Sequence, residues 1–238
     1  MLSQIRRSSG LLVMGGIALI GGLAVMATLA MRNWLEPQQP PHEQREEIAL
    51  PAPHMRDEMS VAEALRRRRS HREFAETALS IQELSQLCWA AQGITDPEQG
   101  RRTAPSAGAI YPIALYVVNQ NGIFEYEPNR NTLSRIVAGD ERRTLQVAAL
   151  DQECVGAAPV CLAITMDVAR TASKYGSRAE RYCLLEAGHV AQNVLLEATA
   201  VGLVGVPVGA FDDRRVAEAL HLPRNLRPVY LLPLGHPR

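Results

Sequence analysis

Arg68, Arg69, Ser70 and Arg72 crowd guanidinium groups around one hydroxyl, at the point where a short helix should end. That set suits a phosphate monoester: arginine forks match its oxygens in bidentate geometry, and a serine adds a neutral donor. A solvated arginine face is the plain alternative. A membrane-surface patch fits less well, because Glu73 and Glu76 follow at once. Lys174-Tyr175 is a second chemical signal. Every other basic side chain in the sequence is arginine, and lysine, unlike arginine, can serve as a base once it is desolvated. A preference for arginine codons explains the bias, and a surface lysine in a loop is the plain reading of the exception. Glu186, His189 and Asn193 fall on one helical stripe with Gln192 beside it. The Glu-x-x-His spacing invites a di-metal site, but no second such motif completes one. No metal is expected, and the stripe reads as a satisfied polar line in a dimer core.

The elements that must position these residues are legible at several points. Ser60-Val61-Ala62-Glu63 and Ser80-Ile81-Gln82-Glu83 have the same capping-box form. The first opens a helix ending near Arg69. The second opens one with Ile81, Leu84, Leu87, Cys88 and Ala91 on one face, stopped by Gly93. Residues 113–118 and 123–126 flank Asn121-Gly122, a hairpin signal. Asp140 is placed to cap a helix running to Leu150, and residues 160–165 form a continuous apolar strand. Residues 178–201 carry apolar side chains around most of a long helix, which predicts a central buried one. A strand over 203–208, a helix capped by Asp212 and a last strand over 229–234 follow. The sum predicts an α+β fold, with a central mixed or antiparallel sheet covered by helices.

These pieces occur in an order that resembles the nitroreductase superfamily of flavin mononucleotide (FMN) enzymes. The closer resemblance is to its SagB/ThcOx-type branch, azoline-oxidase-like dehydrogenases linked to peptide modification. It covers residues 46–238 and rests on five separated motifs: the arginine run, Arg102–Pro112, Lys174-Tyr175, Val206–Asp212 and the final Leu234-Gly235-His236-Pro237. The resemblance implies a homodimer with flavin between the subunits. It places Arg68, Arg69, Ser70 and Arg72 at the phosphate and ribityl chain. Pro105, Ser106, Ala107 and Gly108 would lie against the ring, where small residues let main chain approach a flat surface. Pro207, Val208, Gly209 and Ala210 would run along its hydride-accepting side, with an amide of Gly209 or Ala210 donating to the reacting nitrogen. Lys174 would take a substrate proton, with Tyr175 orienting the substrate. Ala109 stands where many nitroreductases have asparagine, so a side-chain bond to the ring is not expected there.

The expected reaction is hydride transfer from an organic substrate, a small molecule or a modified peptide, to the flavin. An NAD(P)H-fed nitroreductase or quinone reductase is the alternative, and a non-catalytic flavin-binding scaffold of a membrane complex a second. Lysine plus arginine and aspartate plus glutamate balance at 25 each, so no global field attracts nucleic acid. The four cysteines have apolar neighbours and no metal-ligand spacing, and read as buried free thiols. Residues 11–31 carry no charge and as a helix would cross a bilayer's hydrocarbon core. Residues 1–32 are therefore expected as a membrane anchor, 33–58 as a proline-rich tether and 59–238 as the catalytic domain. Arg6 and Arg7 before the run favour a domain on the extracytoplasmic side. A cleaved signal ending near Thr28-Leu29-Ala30, a twin-arginine export signal and a cytoplasmic domain stay open.

Overall fold

The computed structural model describes residues 46–55 and 59–238. The expected anchor and most of the tether lie outside them. Among the described residues no helix is long and apolar enough to cross a membrane.

The strands are β1 (Glu47–Ala49), β2 (Ile94–Asp96), β3 (Arg101–Arg102), β4 (Ile113–Asn119), β5 (Gly122–Glu127), β6 (Thr132–Ala138), β7 (Val160–Met166), β8 (Val204–Gly205) and β9 (Arg227–Gly235). The helices are α1 (Val61–Arg67), α2 (Ile81–Gln92), α3 (Arg142–Ala148), α4 (Glu153–Ala157), α5 (Val168–Tyr175), α6 (Ala179–Ala200) and α7 (Asp213–Ala219). Seven strands form one sheet in the order β1-β6-β5-β4-β7-β9-β8, with antiparallel neighbours throughout. β7 is buried at every position, as a central strand covered on both faces must be. Alternation along the strands divides the core in two. Leu115, Val117, Leu162, Ile164 and Leu232 meet α2 and α6 on one face. Tyr116, Val118, Cys161, Ala163 and Leu231 meet α3, α4 and α7 on the other. All four cysteines are buried and free, and burial pushes the Cys88 and Cys161 thiols far up.

Several expectations need correction. Residues 46–55, expected in the tether, belong to the domain. β1 pairs with the edge of β6, Leu50 N–H donates to the Asn131 carbonyl at 3.0 Å, and Ser85 donates to the Pro51 carbonyl at 2.6 Å. Pairing covers an edge that would otherwise expose unpaired backbone groups. The two capping boxes also differ. At Ser80 both reciprocal bonds form. At Ser60 only the side-chain bond to the Glu63 amide is made, because Arg66 and Arg67 capture the Glu63 carboxylate and hold its pKa down at about 2. A cationic fork outcompetes a neutral amide for a carboxylate.

Asp140 precedes its helix by two residues; Glu141 holds the cap position, and Asp140 accepts instead from the Arg142 amide and guanidinium. The strand expected over 203–208 shortens to β8 plus a single bridge at Val208. The long helix is not buried all round. One side of α6 packs on the sheet and α2, while Leu184 and Leu185 are 47 and 53 % exposed.

Candidate functional site

The end of α1 divides the arginine run. Arg66 and Arg67 turn back onto Glu63, the former at 2.6 Å. Arg69 Nη1 donates to the Arg66 and Arg68 carbonyls at 2.9 and 2.7 Å, groups that a helix end leaves without partners. Arg68 and Arg72 have no carboxylate partner among the described residues. Beyond the helix the chain is extended. Ser70 forms a parallel bridge with Gly205, and His71 N–H donates to the Gly205 carbonyl at 3.1 Å. Backbone pairing therefore sets the arginine segment beside residues 205–212.

Val208 exchanges backbone bonds with Leu231 of β9 at 2.8 and 3.0 Å. Gly209 and Ala210 then leave the sheet, exposed, and their amides find no backbone carbonyl among the described residues. The Ala210 carbonyl accepts from Gln152 Nε2 at 2.7 Å. Asp212 N–H donates to the Ala148 carbonyl, and the Asp212 carboxylate caps α7. Arg72 serves this corner too: burial raises the Cys154 thiol pKa, and the Arg72 charge opposes the rise. The arginine segment is thus bridged to Gly205, and the exposed amides of Gly209 and Ala210 follow four and five residues further along; guanidinium groups and N–H donors of this kind suit an anion.

Residues 105–111 are built differently. Gly108, Ala109 and Tyr111 all have left-handed backbone, with φ of 63°, 55° and 52°. The two with a Cβ each store about 1–2 kcal/mol of strain. Side chains over-determine the shape. Ser106 Oγ accepts from the Tyr111 amide at 2.8 Å, and Tyr111 Oη accepts from the Arg102 amide at 3.2 Å. The Arg102 guanidinium lies 4.7 Å from the Tyr111 ring centre and donates to Gln92 Oε1 at 2.9 Å.

Gly108 faces the Lys-Tyr pair. A Cβ on it would lie 2.7 Å from both Lys174 Nζ and Tyr175 Oη. The pair ends α5, a helix absent from the expected elements, which Asp167 caps at its start and Gly176 terminates at φ 53°. Lys174 is exposed, with Nζ 5.6 Å from the Tyr175 ring centre. The Tyr175 ring stands edge-on against Tyr182, centroids 5.0 Å apart.

Beneath this segment lies Glu186, only 2 % exposed, with no hydrogen-bond partner for Oε1. Burial raises its pKa to about 7, against the opposing pull of Ser106, Arg102, Arg170 and Gln92. The polar stripe expected on α6 therefore splits: Glu186 is buried with its Oε1 unpartnered, His189 is exposed, and Asn193 donates to the Thr103 carbonyl at 3.3 Å. The burial of Glu186 among Arg102, Arg170 and Gln92 does not follow from the stripe alone. The available signal was a carboxylate on the buried face of α6, flanked by Cys183, Ala187 and Val190.

The Gly209–Ala210 turn lies toward the same end of the sheet as residues 105–111 and Lys174-Tyr175, whereas Ser70, bridged to Gly205 opposite Leu234 and Val160, lies toward the other end. β4 begins at Ile113 and β7 ends at Met166 opposite Arg227 of β9. The segment through Val208 runs along β9 toward that same end. Among the described residues no hydrogen bond or ion pair joins the Arg68–Arg72 corner to residues 105–111. No group of three or more potential metal ligands occurs among the described residues.

The chain is similar to known proteins in sequence and fold. The Nitroreductase family model matches residues 65–236. The Methanocaldococcus jannaschii protein MJ1384, named for the nitroreductases, is 40 % identical over 185 residues, covering 75 % of this chain and 92 % of its own. A Ralstonia eutropha crystal structure named likewise superposes with TM-score 0.74 at 29 % identity, covering 82 % of this chain and 91 % of that one. The Escherichia coli microcin B17-processing protein McbC is 26 % identical over 163 residues. That match covers 63 % of this chain and spans 60 % of the McbC length. A chain of the McbBCD complex with truncated pro-MccB17 shares the fold, with TM-score 0.63 at 22 % identity over 93 % of this chain and 92 % of that one.

Proposed function

This chain belongs to the nitroreductase family of flavin-dependent oxidoreductases, and we propose that it is an FMN-dependent dehydrogenase that oxidises an organic substrate with Lys174 as base. The observation that carries the reading is the meeting of Gly108 with Lys174 and Tyr175, which joins the small-residue segment to the one lysine of the chain.

The residues present fit the cofactor. Arg68, Ser70 and Arg72 would hold the phosphate. Arg69, committed to helix-end carbonyls, is the weakest of the four. The amides of Gly209 and Ala210, with Pro207 and Val208 before them, would serve one side of the ring. Pro105, Ser106, Ala107 and Gly108 would serve another. When bound, FMN supplies a two-electron acceptor for hydride. Lys174 Nζ takes the substrate proton, so that hydride and proton leave together and a double bond forms in the product. Tyr175 Oη orients the substrate beside that amine. A second copy of the chain covers Leu184 and Leu185 of α6, exposed apolar side chains on the longest helix. The uncharged run at 11–31 serves as a membrane anchor. Likeness to McbC supports an azoline-type heterocycle in a modified peptide as substrate.

The higher identity to MJ1384 favours a second reading, reduction of nitro or quinone compounds at the expense of a nicotinamide donor. Anaerobic mixing separates the two. The first reading expects flavin absorbance to persist with NADH or NADPH and to bleach with an azoline peptide; rapid bleaching by NADPH favours the second. A purified chain that is colourless and fails to bind added FMN overturns both.

A further inference from the structure

Many surface arginines of this fold meet a carboxylate. Arg130 bonds to Glu47 at 2.7 Å, Arg135 to Glu46 at 2.9 Å, and Arg143 reaches Asp151 at 3.7 Å. Around Lys174 the pattern is reversed. Arg170, Arg178, Arg181 and Arg224 are exposed, as Lys174 is, and none of the five makes an ion pair among the described residues.

The chain brings these cations into one patch. Arg170 stands one turn before Lys174 on α5. Arg178 and Arg181 stand at the start of α6, whose Tyr182 lies against Tyr175. Arg224 adjoins Asn225, which donates to Asp167 at the start of α5 at 2.8 Å. The acids of the patch are already engaged. Asp167 accepts from Asn225 and from the Arg170 amide, and Glu180 is bonded to Arg227. Glu186, buried beneath, has Arg102 beside it. In a chain whose charges balance at 25 each, the patch keeps a local field of one sign. Fold stability does not account for it. Like charges at i and i+4, as Arg170 and Lys174 are, weaken a helix, and the helix dipole disfavours cations at the start of α6. An anionic ligand would reverse both effects.

We propose that Arg170, Arg178, Arg181 and Arg224 dock an acidic peptide that carries carboxylates beside the residue deprotonated by Lys174. This deepens the FMN-dehydrogenase reading above and rests on it for the chemistry. Arginine forks match carboxylates. Spread over two helices and a loop, these four suit an extended chain with several carboxylates better than one compact phosphate. Exposed ion pairs each contribute little, so the patch steers and selects substrate by charge and is sensitive to salt.

The test is fluorescence anisotropy of a dye-labelled Gly-Glu peptide and its Gly-Gln counterpart on the full chain, with and without FMN. The Gly-Glu peptide should bind roughly tenfold tighter in dilute buffer and lose most of that margin at about 0.5 M salt. Arg178→Gln with Arg181→Gln should weaken Gly-Glu binding roughly fivefold. On an azoline peptide flanked by glutamates, the same double variant should lower kcat/KM about as much. Arg130→Gln with Arg143→Gln removes equal charge from other faces and should change either reading by no more than about twofold. Equal binding of the two peptides, or equal losses in the two double variants, overturns the proposal alone. So does displacement of Gly-Glu by NADPH or by phosphatidylserine vesicles at concentrations below the peptide's own Kd, which would assign the patch to a dinucleotide or a membrane. A preference for Gly-Glu in a chain that binds no FMN overturns the FMN reading while keeping the docking surface.

Discussion

Backbone holds the Arg68–Arg72 corner: the Ser70–Gly205 bridge, the His71–Gly205 bond and the Val208–Leu231 pair fix its course. Side chains hold residues 105–111, through Ser106, Tyr111, Arg102 and Gln92, against left-handed strain. The difference decides what substitutions can report. In the first region the Arg68 and Arg72 guanidinium groups make no ion pair within the described fold, unlike Arg69 with its helix-end bonds, so replacing those two touches the ligand alone. In the second nearly every side chain is part of the scaffold, so ligand and fold change together.

The largest expected effect lies where the second region presents its chemistry. Lys174→Ala with Tyr175→Phe should lower kcat by roughly 10²–10⁴-fold, the range for loss of a general base, with the flavin spectrum unchanged. Turnover within threefold of wild type, with flavin bound, would remove the pair from the mechanism and leave a scaffold role. Next is the corner itself. Arg68→Ala with Arg72→Ala removes two charge-assisted contacts, each worth about 1.5–3 kcal/mol. FMN affinity should fall by at least about a hundredfold, riboflavin affinity by less than threefold, and the apo melting temperature should hardly move. Arg66→Ala with Arg67→Ala, which only releases Glu63, should leave FMN affinity nearly unchanged. If both double variants weaken FMN equally, the division of the run by the helix end is wrong.

The same contrast explains what could be read from the sequence. Charges and small residues announce themselves, so the arginine run, Pro105–Gly108, Lys174-Tyr175 and Pro207–Ala210 were found as motifs. The hairpin at Asn121-Gly122, the Ser80 helix and the long α6 followed from turn chemistry, capping and periodicity. What escaped depends on partners remote in sequence. β1 exists because β6 has an edge to cover. Arg69 spends its fork on α1 carbonyls, while its neighbour Arg68 does not. Glu186 is buried beside Arg102 and Gln92 of other elements, which no local spacing encodes. α5 escaped because its only strong marker is the Asp167 cap.

A stability measurement sharpens the second region next. The Glu186 pKa of about 7 stands above its ordinary 4.5. Between those values the unfolded chain ionises while the folded chain keeps the proton. Apo-protein stability from this group is therefore present below about pH 4.5 and lost as pH rises to about 7. Glu186→Gln cannot titrate. It should lose less stability than wild type over that window, by about 3.4 kcal/mol at most. Parallel melting curves against pH would show that Arg102 and Arg170 already hold Glu186 ionised.

The smallest effect places one substitution in both regions. Gly108 has φ of 63°, and a Cβ there would come within 2.7 Å of Lys174 Nζ and Tyr175 Oη. Gly209 has no such backbone constraint, and its added Cβ would meet Tyr230 at 3.6 Å, an ordinary contact. Lys174 is exposed and can swing away, but Tyr175 is braced on Tyr182, so the loop itself must yield. Gly108→Ala should therefore cost about 1–2 kcal/mol from left-handed backbone alone, or roughly 2–8 °C in apo melting temperature. Turnover should fall about tenfold as the amine is displaced. Gly209→Ala should leave apo melting within about 1 °C, because nothing in the fold opposes the methyl. Equal losses at the two glycines would mean that the backbone-held corner is as strained as the side-chain-held loop, and the distinction between them would fail.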